Sequence, residues 1–246
     1  MKLKVNNITI DYSLKTCDSN KYVLFLHGFG GSKKSFEGVQ NALSNSYNTV
    51  NLDLPSFGVS SSAPHYFTIF DYAKVVEHFL HKLKIKKVSI VSHSFGGRIA
   101  IILANKHPEL IDKLVLINAA GIKPRFNLKI YLKVKYFKVL KLFAKLKLVS
   151  KHKLNKFGSK DYKNLSSSDK QVFNNVIKQD LRHLLSDIKA PTLIIWGKKD
   201  KTTSIYMAKK INKKVKNSGL IVFKNASHYS YLDQFKRCVI ILKEFL

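Results

Sequence analysis

Six short apolar runs, rich in β-branched residues, punctuate the chain at 23–26, 49–52, 88–91, 114–117, 193–196 and 220–223. They are continuous rather than alternating, the signature of strands covered on both faces in a parallel sheet. Between them lie stretches with helical periodicity at 70–83, 97–106, 205–215 and 234–245. Strand and helix therefore alternate, which predicts an α/β, doubly wound architecture. The opening segment KLKVNNITIDYSL reads instead as an antiparallel edge hairpin turning at Asn6 and Asn7.

The alternation stops between Gly121 and Lys189. This segment carries 18 Lys and Arg against 4 Asp, a net of +14. It contains LKIYLKVKYFKVLKLFAKLKLV (128–149) and LSSSDKQVFNNVIKQDLRHLL (165–185). In the second, Ser166, Ser167 or Ser168 is placed to cap a helix running to Leu185. The expected organisation is a core of 1–121 and 188–246, interrupted after the sixth strand by a basic helical cap over 122–187. In the first cap segment Lys135, Lys138, Lys141 and Lys145 share one broad helical face, and Lys129, Lys133 and Lys147 fall opposite. An apolar side covering a site is one reading. The other is a basic, apolar lid that meets a membrane surface or an acidic carrier protein.

Composition narrows the picture only in places. At 246 residues and 45% hydrophobic, the chain can bury one large core. A net charge of +29 attracts anions in general. A codon bias toward Lys, Asn and Ile produces the same excess without any partner. Nucleic-acid binding has only the charge in its favour, since neither a reading motif nor an aromatic-basic platform accompanies it. Two cysteines form no disulfide framework, and the first 15 residues lack a signal-peptide core, so a cytoplasmic setting is expected. No window of about 18 residues is apolar and charge-free.

Candidate chemistry centres on KVSIVSHSFGGR, where the run 88–91 meets Ser94, then Gly96 and Gly97, then a helical pattern. Gly96 lets the helix pack close to a strand, and Gly97 relieves crowding beside it. A serine on such a turn projects from the C-terminal edge of the sheet, beside a helix N-terminus that favours negative charge. The glycines of LFLHGFGGS (24–32) permit a loop in which the Phe29 N–H faces a pocket and, with the Phe95 N–H, would make two donors for an oxyanion; by itself HGFGG equally fits a phosphate-binding turn. LIIWGKKDKTT places Asp200 beyond a late strand, and FKNASHYSYLDQ places His228 beyond the last one. Each element follows its own strand, so all project from one sheet edge.

In this order of Ser94, Asp200 and His228, and in the loop that precedes them, the chain resembles the α/β-hydrolase superfamily. DLPSFGVSS (53–61) is similar to a D-L-P-G-F-G-x-S turn of small bacterial members, and Asp233 stands where the family commonly carries Glu. The resemblance runs from Val23 to Phe245. It implies a mostly parallel sheet with helices on both faces, Ser94 as nucleophile, His228 as base and Asp200 as its orienter. Phe29 and Phe95 would be the oxyanion donors, and neither metal nor cofactor would be needed. The implied substrate is a small carboxylic ester or acyl compound. Cleavage of a carrier-borne acyl chain, carbon–carbon bond cleavage or elimination on the same fold, and a basic binding protein remain as alternatives. His27, Gly28, Ser32, His93, Arg98 and Tyr229 are expected near the mouth of the pocket, His27 as a support of its loop. The chain departs from the pattern at Ser92, Ser56 and Ser227, each standing for a glycine, and at the KTT after Asp200. Ser92 is expected to impose modest strain.

Overall fold

A computed structural model of the chain describes residues 1–125, 128–145, 167–177 and 179–246. Eight strands form one sheet in the order β1-β2-β4-β3-β5-β6-β7-β8. They are β1 (Lys2–Val5), β2 (Ile8–Lys15), β3 (Tyr22–Leu26), β4 (Asn48–Leu52), β5 (Val88–His93), β6 (Ile111–Ile117), β7 (Thr192–Gly197) and β8 (Ser218–Phe223). The first two pair antiparallel, as the hairpin pattern predicts, and Asn6 takes φ 53° at their turn. Strand β2 also joins β4 antiparallel, and the pairings of β3 to β8 with one another are all parallel.

The continuous apolar runs are explained by two hydrophobic layers. Leu24, Leu26, Ile90, Leu116 and Trp196 face one layer. Their neighbours Val23, Phe25, Val91, Val115 and Ile195 face the other. Side chains alternate across a strand, so a strand covered on both sides must be apolar at every position. Helices α2 (Ile69–Lys82) and α3 (Phe95–Lys106) cover the first face, with α6 (Ile205–Lys214). Helices α1 (Glu37–Leu43) and α8 (Phe235–Phe245) cover the second. Helix α1 has no counterpart among the predicted elements; at seven residues it is too short to show a period. Short helix α7 (Ser230–Asp233) is also new.

Between β6 and β7 lie α4 (Leu128–Lys145) and α5 (Ser167–Ile177). The helix expected to run to Leu185 stops at Ile177. Beyond it the chain turns, and Leu181 N–H donates to Gly121 O at 2.8 Å, which pins the return to the core. Ser166 and the side chains of Ser167 and Ser168, the expected caps, lie outside the described residues. So do the side chains of Lys129, Lys133 and Lys145, and all of Lys147. No described helix is long and apolar enough to cross a membrane.

Candidate active site

The sheet reverses its order of growth at β3, which is flanked by β4 on one side and β5 on the other. In open α/β sheets the crevice beyond the strand ends at such a switch point receives ligands. Here the loop after β3 and the turn after β5 meet. The neighbouring β6, β7 and β8 carry Asn118, Asp200 and His228 beyond their C-terminal ends.

Ser94 occupies the turn between β5 and α3 with φ 48° and ψ −110°, a conformation L-residues rarely adopt. Two glycines make this turn feasible. A Cβ on Gly96 would lie 2.2 Å from the carbonyl oxygen of Leu26, and one on Gly97 would lie 2.5 Å from Ala119 Cβ. Gly96 N–H also donates to His27 O at 3.1 Å, tying the turn to the loop after β3. Helix α3 therefore starts two residues earlier than its period predicts, directly after Ser94. Ser92 is fully buried, keeps an ordinary strand backbone, and donates its hydroxyl to Val115 O at 2.9 Å. The strain expected there is absent. It appears instead at Ser56, held at φ 69° where glycine would sit freely.

Ser94 Oγ lies 3.1 Å from His228 Nε2, and His228 Nδ1 lies 2.9 Å from Asp200 Oδ2. Strand β8 stands three strand spacings, about 14 Å, from β5, so the loop carrying His228 must fold back across the sheet edge. Asn118 Nδ2 donates to Ser227 O at 3.4 Å, His93 Nε2 lies 2.9 Å from His228 O, and Ser227 N–H donates to Asp233 Oδ2 at 2.6 Å. The substitution Ser227 for glycine adds a hydroxyl bond to the same Asp233 oxygen at 2.7 Å.

Asp200 is almost fully buried. Burial opposes its ionisation. Hydrogen bonds from His228, Thr203 and Asn118 outweigh that and hold the carboxyl down at about 2. Thr203 Oγ1 lies 2.6 Å and Asn118 Nδ2 lies 2.5 Å from Oδ2, while the N–H groups of Thr202 and Thr203 donate to Oδ1 at 2.7 and 2.9 Å. The KTT departure is thus the carboxylate's cradle. Sequence reasoning does not single out Asn118, and it marks these threonines only as a departure from the family pattern, without a role. Asn118 was detectable only as the first polar residue after β6, where a side chain at the sheet edge can reach sideways. With Asp200 ionised, Nδ1 of His228 carries the proton that bonds it, and the Nε2 lone pair faces the Ser94 hydroxyl.

The N–H groups of Phe29 and Phe95 have no hydrogen-bond partner among the described residues. Both residues line, with Ser94 and His228, a cavity of about 540 Å³. Its other walls are mainly apolar: Ile122, Phe173, Val176, Ile177 and Met207. Phe173 of α5 packs on Phe29, ring centroids 4.6 Å apart, and Phe57 and Phe95 support Phe29 from behind. The segment between β6 and β7 therefore supplies one side of the cavity.

Of the six residues expected at the pocket mouth, Arg98 and Tyr229 line this cavity and four do not. His27 is buried beneath its loop, with Nδ1 2.7 Å from Gly28 O and Leu54 N–H donating to Nε2 at 3.0 Å. Burial lowers its pKa. Gly28 packs on His93, 2.8 Å from Nδ1 to a Cβ there. Ser32 caps the short turn at Lys33–Phe36. His93 lies behind the turn; burial, then the nearby His228, lowers its pKa to about 3, so it is neutral. These four carry the loop rather than face the cavity. Arg98 is buried, and this lowers its pKa to about 10. Its guanidinium donates to Val176 O at 3.3 Å and Gln179 O at 2.8 Å, bracing the end of α5.

Comparison with known proteins agrees with this architecture. The alpha/beta hydrolase fold family matches residues 21–155 and 132–235. The chain belongs to that family, and it is a hydrolase of that fold. It is similar to an uncharacterised hydrolase, YugF, of Bacillus subtilis (27% identity, 92% of this chain and 90% of the relative). It also resembles an ethanol acetyltransferase of Cyberlindnera jadinii (31% identity, 65% of this chain), spanning only 46% of that protein. Among solved structures, a bacterial membrane phospholipase A superposes with a TM-score of 0.80 at 22% identity, over all of this chain and 84% of the other.

Proposed function

We propose that this hydrolase cleaves a carboxylic ester through an acyl-enzyme on Ser94. The carrying observation is the continuous hydrogen-bonded path from Ser94 Oγ through His228 to a carboxylate held ionised by five donors. His228 Nε2 takes the Ser94 proton as Oγ attacks the acyl carbon, then returns it to the leaving alcohol. Asp200 keeps the imidazole oriented and stabilises its charged form. The oxyanion forms between the free N–H groups of Phe29 and Phe95, where one lost donor costs about 3 kcal/mol of barrier. Water activated by His228 then releases the acid.

The cavity suits an apolar acyl group of moderate size, since its walls beyond the polar end are aromatic and aliphatic. The names of the phospholipase and the acetyltransferase both refer to chemistry at an acyl group. Helix α5, within the segment 122–187 read as a cap, closes one side of the site. A fluorophosphonate probe and a series of nitrophenyl esters test the reading. Wild type labels at Ser94 and prefers neutral apolar acyl groups. Labelling or ester turnover that survives in Ser94→Ala would end it.

A further inference from the structure

Helix α4 carries two apolar faces. Ala144 is buried, and Phe137 and Leu140 are half-buried, on its inner side. On the other side Leu128, Leu132, Tyr136, Val139 and Phe143 recur at four, four, three and four residues. At 100° per residue they lie in one arc of about 80°, a single rank about 22 Å long. All five are between 41% and 59% exposed. A helix apolar all round is ordinarily enclosed, so the outer rank of large apolar side chains marks an interaction surface. Among the described residues, none of this helix lines the cavity beside Ser94.

The chemistry beside the rank selects its partner. Lys135 and Lys138 are exposed about 20° and 80° beyond one edge of the rank, with the exposed Tyr131 between them, and the exposed Lys141 lies opposite its centre. The ammonium of Lys135 lies 5.0 Å from the ring centre of Tyr131. Residues 128–145 contain no Asp or Glu. The rank is convex and narrow rather than a shaped groove, which favours a fluid apolar phase over a sculpted pocket. Lysine stems can lie along such a phase while their ammonium groups reach a negatively charged headgroup layer. Tyrosines, with an apolar ring and a polar tip, suit the same depth.

We propose that α4 is an interfacial helix that lays this rank on an anionic lipid surface, with its lysine flank at the headgroups. This goes beyond ester hydrolysis and does not depend on Ser94. The test is co-sedimentation of the full chain with vesicles of equal parts phosphatidylglycerol and phosphatidylcholine, against phosphatidylcholine alone, in 0.1 M salt. The partition coefficient should be at least about tenfold higher on the anionic vesicles. Leu132→Gln with Val139→Gln, which changes no charge, should lower it by about tenfold. Lys135→Gln, Lys138→Gln and Lys141→Gln together should lower it by about tenfold or more. Replacing the exposed Lys209, Lys213 and Lys214 of α6 by Gln is the control and should change it less than about threefold. Wild-type binding by both α4 variants, or equal loss in the α6 control, would show that overall charge acts and would overturn the proposal. A melting temperature several degrees lower in the Gln pair would mean that the chain itself covers the rank, which also overturns it. The same holds if the Gln pair weakens binding to soluble poly-L-glutamate as much as to vesicles, the behaviour of an acidic-protein dock.

Discussion

The close approach of the Ser94 turn to β3 makes Gly96→Ala a sharp probe of the site. The added methyl would sit 2.2 Å from Leu26 O, 2.7 Å from Leu26 C and 2.8 Å from Leu26 Cβ. Two of these atoms are backbone, so no side chain can swing aside. Relief to an ordinary contact of about 3.4 Å requires α3 and β3 to part by about 1 Å. Overpacking of this kind costs about 1–3 kcal/mol. For a chain of 246 residues, that lowers the melting temperature by about 2–6 °C. The parting also stretches the Gly96 N–H bond to His27 O and carries Phe95 N–H away from Phe29 N–H. A misplacement of about 1 Å in a reacting geometry costs about a hundredfold in rate. Gly219→Ala is the control, because nothing lies within 4 Å of a Cβ there. Calorimetry and the turnover of a short nitrophenyl ester report the two effects. If Gly96→Ala melts and turns over like wild type while Gly219→Ala does the same, the packing account of the turn is wrong.

Further outcomes follow from single contacts. His93 stays neutral down to about pH 3, whereas in the unfolded chain it takes up a proton near 6.5. Its contribution to stability is therefore complete above about pH 6.5 and falls by about 1.4 kcal/mol per unit as pH drops toward 3. His93→Gln should flatten the acid limb of urea midpoints plotted against pH, and an unchanged slope would reject the assignment. Thr203→Val removes the hydroxyl 2.6 Å from Asp200 Oδ2 and should raise that carboxyl from about 2. Turnover should fall about tenfold without a matching rise in KM. Arg98→Met releases the carbonyls of Val176 and Gln179. Hydrogen exchange of the α5 amides should accelerate about tenfold or more, and Arg98→Lys should not restore it, since one ammonium cannot span both acceptors as the planar fork does.

Much of this molecule is written locally. Continuous apolar runs reported strands covered on both sides, because burial on two faces leaves no position free to be polar. The paired glycines after Ser94 reported a tight strand-to-helix turn, because only a missing Cβ allows backbone to approach that closely. The position of Asp200 and His228 after late strands was legible for the same reason: parallel strands must all end at one edge. Helix α1 was not legible, since seven residues show too little of a 3.6-residue period. The surroundings of Asp200 were hidden too. Asn118 reaches it only because β6 lies next to β7, and strand order is a property of the whole sheet.

The sequence by itself therefore determined the alternation of elements, the turn at Ser94 and the set of groups at the sheet edge. Tertiary structure decided which of them touch. It turned His93 and His27 inward, beneath the loop, where desolvation lowers the pKa of both. It set Arg98 against carbonyls at the end of α5 instead of open water. And it left one apolar rank of α4 facing outward, which the pattern of the helix alone could not distinguish from the rank that faces in.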